Sequence, residues 1–187
     1  MGFMKNMFAN LESELDNLTS SQKNSSSKKQ ERRASGPPPT RWEKSVVGLD
    51  QIVSQVVKVD PDGVDIVCFG GEDEVEWYRN IKNTKGLEEM VASKRPNGPC
   101  LMGSAMNEVL EHAFDSGEKD MTKRPVSVLV LTAGRPDDAD ELDASLLKAV
   151  TRIGDTCESC PLSVTFVQIG NDKKAEEYLK HLDRKST

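Results

Sequence analysis

Two acidic side chains, Asp137 and Asp138, closely follow the apolar run at residues 127–132. That run is rich in β-branched residues and ends at Ala133 and Gly134, which is typical of a strand buried on both faces of an α/β sheet. Ligands of such sheets bind in the crevice beyond the carboxyl ends of the strands. Carboxylates in that crevice can hold a divalent cation, although acids at the start of a helix are also explained by capping and the helix dipole.

A second candidate pair, Cys157 and Cys160, has the two-residue spacing of redox and zinc sites. Redox pairs lie at the start of a helix after a strand, where the helix N-terminus lowers the thiol pKa. This pair instead follows a predicted helix and precedes a predicted strand. Structural zinc needs two further ligands, and the other Cys and His residues are not spaced as a second pair. We expect reduced thiols, with a thiol-redox function as a distant alternative.

No other part of the sequence has the pattern of an active site. His112 and His181 fall in predicted helices, where solvated or packing roles are expected. The glycines at 70, 71 and 98 lack the spacing of a phosphate-binding loop. We therefore expect no enzymatic activity and no small-molecule substrate.

Composition and charge favour a globular protein. The 187 residues are 36% hydrophobic and 30% charged, with a formal net charge of -6, which does not indicate nucleic-acid binding. Residues 1–40 carry six basic and four acidic side chains, so the acidic character belongs to residues 41–187. No apolar run approaches the roughly 20 residues that span a membrane, and no signal-peptide pattern is present. We expect a cytoplasmic location.

The first 40 residues divide into two segments. In residues 1–18 apolar side chains recur three and four positions apart, which predicts an amphipathic helix. This helix has three open roles: docking on its own domain, pairing with a partner helix, or weak membrane association. Residues 19–40 are dominated by Ser, Lys, Gln and Pro, which predicts a disordered linker. Arg32, Arg33, Ala34 and Ser35 match the pattern of basic-directed kinases, so Ser35 is a candidate phosphorylation site.

Residues 41–187 alternate predicted helices with predicted strands. In chain order we predict a helix over 41–57, strands over 64–69 and 75–80, a short helix over 87–92, a helix after 100–106, the strand 127–132, a helix over 138–153, a strand over 163–169 and a closing helix over 173–182. This alternation predicts right-handed crossovers and a doubly wound, mainly parallel sheet with helices on both faces.

The order of short motifs across residues 41–183 resembles the von Willebrand factor A domain, in particular its small intracellular single-domain members. The matching pieces are RWE at 41–43, DPDGVD at 60–65, PNG at 96–98, CLMG at 100–103, LVLTAG at 129–134 and FVQIGND at 166–172. The resemblance implies a metal-ion-dependent adhesion site at the carboxyl ends of the strands. In the family, an Asp-x-Ser-x-Ser motif, a Thr from a second loop and an Asp from a third hold a divalent cation such as Mg²⁺.

The chain departs from this family pattern at every loop. The resemblance places Ala133 where the third-loop Asp belongs and Cys100 where the Thr belongs. Ser35 would be a remnant of the first motif, with Arg33 in place of its Asp and Pro37 in place of its second Ser. Ala133 offers no ligand, a thiol suits Mg²⁺ poorly, and a guanidinium repels a cation. We expect a degenerate, metal-free face that comprises Ser35, Cys100, Ala133 and Asp137, and the alternative is an Mg²⁺ or Mn²⁺ site that uses Asp137 and Asp138.

The resemblance also implies a central strand before residue 41, where the chain has only SSSKKQERR at 25–33. Three outcomes are open: strands 64–69 and 127–132 pair directly across the gap, the N-terminal helix covers the exposed surface, or the sequence is an incomplete product. We therefore predict a non-enzymatic protein–protein interaction module of the von Willebrand A type, incomplete at its N-terminal side, with a protein partner that the sequence does not identify.

Overall fold

A computed structural model describes residues 40–70, 75–83, 85–87, 90, 94, 97–117, 125–156 and 162–185. The predicted amphipathic helix, the predicted linker up to residue 39, Ser35, Cys157 and Cys160 lie outside the described residues. Within the described ranges, no helix has both the length and the apolar character that crossing a membrane requires.

The fold is mixed α/β, as predicted. The helices are α1 (Arg41–Val56), α2 (Met102–Gly117), α3 (Ala139–Thr156) and α4 (Lys173–Lys185). The strands are β1 (Val64–Cys68), β2 (Glu76–Ile81), β3 (Val126–Thr132) and β4 (Leu162–Gln168). The hydrophobic period predicted each of these elements, with bounds that differ by up to three residues.

The start of α1 is set by a capping box. Thr40 Oγ1 accepts a hydrogen bond from Glu43 N at 3.2 Å, and Glu43 Oε2 accepts one from Thr40 N at 2.6 Å. These reciprocal bonds satisfy two backbone donors that a helix end would otherwise leave unpaired. The hydrogen bond from the Thr40 backbone also holds the pKa of Glu43 below its usual range.

The described strands form two separate sheets. β1 pairs with β2 in antiparallel orientation, and β3 pairs with β4 in parallel orientation. The prediction of one continuous, mainly parallel sheet is therefore not met. Direct pairing of strands 64–69 and 127–132 is also wrong, because β1 and β3 belong to different sheets. Of the residues described, none supplies a strand that would join them.

The β3–β4 sheet is covered on both faces, because successive side chains of a strand point to opposite sides. One face packs against α1, through a cluster of Ile52, Val56, Leu129, Leu131, Val167 and Ile169. The opposite face packs against α2, α3 and α4, through a larger cluster that includes Met102, Met106, Leu110, Phe114, Val130, Leu142, Tyr178 and Leu182. Val130, Thr132 and Val167 are buried, but most other residues of the two strands are half-buried, so the expected burial on both faces is met only in part.

The β1–β2 sheet lies against the same two helices. On one face, Val53 of α1 packs with Ile66 of β1 and with Tyr78 of β2. On the opposite face, Trp77 Nε1 of β2 donates a hydrogen bond to Glu108 of α2. Helices α1 and α2 therefore contact both sheets, one helix on each side.

Some apolar residues of the helices are less buried than their type suggests. The apolar side chains of α2 are buried at Met106, Leu110 and Ala113, but Val109 is only half-buried. In α3, Leu147 and Val150 are 68% and 67% exposed. The reason is that α3 packs through a different stripe, which consists of Leu142, Leu146, Ala149 and Ile153.

Acid should weaken the contact between α3 and α4. Asp143 Oδ2 accepts a hydrogen bond from Lys185 Nζ at 2.6 Å, and Asp143 Oδ1 accepts one from the Tyr178 hydroxyl at 3.1 Å. The Lys185 bond, followed by the Tyr178 bond, holds the pKa of Asp143 below its usual range, against the opposing effect of partial burial. A carboxyl with a lowered folded-state pKa stabilises the fold above its unfolded pKa, and this contribution is lost as the pH falls.

We expect Asp143→Asn to reduce the loss of stability that occurs as the pH falls into the acid range. The urea midpoint of the unchanged chain should fall more steeply below about pH 4 than that of the variant. The matched control is Asp62→Asn, an exposed carboxyl outside this contact, which should leave the slope unchanged. If the urea midpoints of the unchanged chain and Asp143→Asn fell in parallel with pH, the stabilising role of the Asp143 carboxylate would be contradicted.

Candidate functional site

The carboxyl ends of β3 and β4 meet the N-terminal ends of α1, α2 and α3 at one edge of the fold. Because β3 and β4 are parallel, both strands end on the same side. Arg41, the first residue of α1, donates a hydrogen bond from Nη1 to Ala133 O at 3.1 Å. We call this edge the carboxyl-end face and define it by six residues: Arg41, Cys100, Thr132, Ala133, Asp137 and Asp138.

Two loops of this face are locked together by Cys100 and Asp137. Asp137 Oδ2 accepts a hydrogen bond from Cys100 N at 2.7 Å, and Cys100 O accepts one from Asp137 N at 3.0 Å. The structure therefore brings together two residues that the sequence assigned to one face.

Asp138 caps two helices at once. Its Oδ2 atom accepts a hydrogen bond from Ser104 N at 2.9 Å, in the first turn of α2. Its carbonyl oxygen accepts bonds from Glu141 N and Leu142 N, which begin α3. Anionic oxygens at helix N-termini are stabilised by the unpaired N–H groups and by the helix dipole. Asp138 therefore fixes the N-terminal end of α2 against the N-terminal end of α3 at the carboxyl-end face.

One oxygen of Asp138 has no such role. Asp138 Oδ1 is buried and has no hydrogen-bond partner within the described part of the chain. An unpaired buried carboxylate oxygen is costly, so this atom is the feature of the face that most favours an additional positively charged group.

Arg41 is a residue of this face that the sequence pattern did not identify. The sequence placed a guanidinium at this face through Arg33, which lies outside the described residues, whereas the structure places Arg41 there. Its Nε atom lies against Gly170, where an added Cβ would approach to 3.3 Å. No local signal could reveal this, because Arg41 and Ala133 are 92 positions apart in the sequence.

The thiols of the described residues are poorly suited to nucleophilic or metal chemistry at neutral pH. Burial raises the pKa of Cys100, and the charges of Asp137 and Asp138 raise it further. Burial also raises the pKa of Cys68. A thiol acts as a nucleophile or metal ligand through its thiolate, so both remain protonated and unactivated.

The side chains at this face fit a divalent cation poorly. Ala133 has no ligand atom, and Asp137 and Asp138 each give one oxygen to a backbone N–H group. The fixed positive charge of Arg41 is bonded to Ala133 O on the same face. In the part of the chain that the structure describes, no group of three or more His, Cys, Asp or Glu side chains could hold a metal ion.

A second cluster surrounds Trp77, on the face of the β1–β2 sheet that contacts α2. The Arg79 guanidinium carbon lies 3.7 Å from the centre of the Trp77 ring, and His112 meets that ring edge-on at 5.0 Å. Arg79 Nη1 also pairs with Asp65 at 2.6 Å. These contacts join β1, β2 and α2, so the cluster is explained by packing between these elements.

Comparison with known proteins gives no assignment: no family model, curated protein or solved structure matches the chain.

Proposed function

We propose that the chain is a non-enzymatic protein–protein interaction module of the von Willebrand A type, whose carboxyl-end face binds its partner without a divalent metal. The observation that carries this proposal is the position of Arg41. Its guanidinium is bonded to Ala133 O, next to the loop where the resemblance implies a metal ligand. A fixed cation at that position repels a divalent ion by direct electrostatic interaction.

The loop between β3 and α3 is built as a rigid contact surface. Residues 133–138 are fixed at one end by Arg41 and at the other by the bonds of Asp137 and Asp138 to the start of α2. Between these anchors, Arg135 is exposed. A pre-organised loop loses little conformational freedom when it binds, which favours protein recognition.

The architecture supports the same family. Helices cover both faces of the parallel β3–β4 pair, which is the arrangement of a doubly wound sheet. We propose that the domain is of this type and lacks one central strand.

A divalent-metal-dependent binder is the second candidate. The unpartnered Asp138 Oδ1 atom favours it, because an Mg²⁺ ion is coordinated by oxygen ligands. In that case Asp137 and Asp138 would supply the protein ligands through the Oδ1 atoms, because each Oδ2 atom accepts a bond from a backbone N–H group.

A thermal titration with Mg²⁺ separates the two candidates. We expect the melting temperature of the full chain to be the same in excess EDTA and in millimolar MgCl₂ or MnCl₂. A metal that bound the folded chain at a hundred times its dissociation constant would stabilise it by about 2.7 kcal/mol and raise the melting temperature by about 5 to 10 °C.

The matched variant for this titration is Asp137→Asn, whose amide oxygen can still accept the bond from Cys100 N. A saturable rise in melting temperature that disappears in Asp137→Asn would establish the metal-dependent alternative. The expected result is that each of the two chains gives the same melting curve in metal and in EDTA.

Several proposals rest on the sequence alone. They are a cytoplasmic location, weak membrane association of residues 1–18, phosphorylation of Ser35, and, as a distant alternative function, redox chemistry of Cys157 and Cys160. Detection by mass spectrometry of a reversible Cys157–Cys160 disulfide at cellular redox potential would favour that last alternative.

A further inference from the structure

One edge of β3 carries backbone groups that no described strand pairs. Ile169 N donates to Thr132 O at 2.7 Å, so Thr132 directs its backbone groups toward β4. Successive residues of a strand direct their N–H and C=O groups to alternate sides, and the β3–β4 register is continuous. The backbone groups of Ser127, Leu129 and Leu131 therefore point to the opposite, unpaired edge.

This edge ends at the Arg41 contact. Ala133 continues the same alternation, and its carbonyl accepts the hydrogen bond from Arg41 at 3.1 Å. The side chains of Leu129 and Leu131 are only half-buried, although they belong to the core cluster beneath α1. Half-buried side chains and unpaired backbone groups on one edge indicate an open position for a strand.

The strand that borders this open position on its other side is β1. Helices α1 and α2 contact both sheets from opposite sides, so the sheets lie side by side between the same two layers. Phe69, directly after β1, packs against the large core cluster that contains Val130 of β3, whereas no residue of β2 belongs to that cluster. The edge of β1 that faces away from β2 is therefore the edge that lies toward β3.

The two bordering strands, β1 and β3, also run in the same direction. After β1 the chain reaches Gly70, where an added Cβ would lie 3.0 Å from Pro99 O. Cys100, which follows Pro99 in the sequence, is bonded to Asp137 beyond the carboxyl end of β3. β1 and β3 therefore both end at the carboxyl-end face, and a strand between them would pair with two parallel neighbours.

We propose that a partner protein donates one strand into the position between β1 and β3. The strand would lie between α1 and α2, so both of its faces would be buried and its sequence would be a near-continuous apolar, β-branched run. Pairing would satisfy the backbone groups of Ser127, Leu129 and Leu131. This surface is distinct from the carboxyl-end face, and the proposal does not rest on the metal-free binding proposed for that face.

The 39 residues that precede Thr40 contain no near-continuous apolar, β-branched run of this kind, although they join the fold at the carboxyl-end face. Residues 19–39 are polar apart from Ala34, Gly36 and the prolines, and residues 1–18 interrupt their apolar side chains with Lys5, Asn6, Asn10 and five further polar or acidic residues before Leu18. In a second copy of the chain, each of the strands that the structure describes is already paired with a neighbour. These points favour a different protein as the donor.

Hydrogen exchange measured by NMR on the full chain tests the open edge directly. We expect the amides of Leu129 and Leu131 to exchange at least about tenfold faster than those of Val128 and Val130, which point to β4. Equal protection of the four amides would overturn the proposal, because the edge would then be covered by residues of this chain or by a second copy. Sedimentation of the same sample would distinguish these two coverings.

The same amides test strand insertion with a defined probe. The probe is a synthetic peptide of residues 126–132 with lysines added at both ends, because β3 is itself an apolar, β-branched strand with helices packed on both faces. We expect it to slow exchange at Leu129 and Leu131 by about tenfold or more and to raise the melting temperature. The control is the Leu129→Pro peptide, since proline cannot join a central strand. No protection by the first peptide, or equal protection by both, would overturn the proposal.

Discussion

Gly103→Ala is expected to destabilise the fold by about 3 kcal/mol or more, because overpacking against fixed atoms is costly. An added Cβ at this position would lie 2.5 Å from Leu142 N and 2.7 Å from Asp138 O. Both are backbone atoms at the start of α3, so no side-chain rotation can relieve the clash. Helix α2 would have to move away from α3, and the bond from Ser104 N to Asp138 would be lost with it.

Urea unfolding followed by circular dichroism measures this effect. Gly154→Ala is the matched control, because an added Cβ at Gly154 meets nothing within 4 Å. In a helix this control should be neutral or stabilising by up to about 1 kcal/mol. If Gly103→Ala unfolded at the same urea concentration as Gly154→Ala, the close contact between α2 and α3 would be wrong.

Leu142→Ala is the second substitution with a large expected effect. Leu142 is 0% exposed and lies in the core cluster shared by α2, α3, α4 and β3. Truncation of a fully buried leucine removes its transfer free energy and leaves a cavity, which costs about 2 to 5 kcal/mol. We expect a fall in the urea midpoint of that order.

Leu147→Ala provides the same chemical change on the other side of α3. Leu147 is 68% exposed, so its truncation should change the free energy of unfolding by less than about 0.5 kcal/mol. The sequence pattern of α3 does not separate these two leucines. Equal effects of both substitutions would show that α3 packs through a different face.

The elements of the fold were predictable because they depend on local signals. The run at 127–132, the glycine and proline breaks, and the period of α1 and α3 each lie within one segment, and each gave an element close to its observed bounds. The orientation of α3 was not predictable in this way. Leu142 and Leu147 have the same type, and only the tertiary packing of α2 and α4 decides which one is buried.

The carboxyl-end face likewise combines features that local sequence indicated with features that only the tertiary structure determines. The structure brings Cys100 and Asp137 together, and helix capping was one explanation that the sequence offered for the two acids. The sequence could not show that Asp138 caps α2 from 34 positions away or that Arg41 reaches Ala133. The separation of β1 from β3 was likewise beyond local pattern, because the resemblance left open whether the two strands would close the gap.

The most direct test of metal-free partner binding is affinity capture by the immobilised full chain, with bound proteins identified by mass spectrometry. Capture is run in EDTA and in Mg²⁺, with Arg135→Glu on the carboxyl-end loop and Lys58→Glu, an exposed control after the opposite end of α1. We predict that at least one protein is recovered equally in both buffers, is lost with Arg135→Glu and is retained with Lys58→Glu, whereas a strand-donating partner would be retained with both variants. Capture in which every recovered protein requires Mg²⁺ or survives Arg135→Glu unchanged would contradict the proposed function.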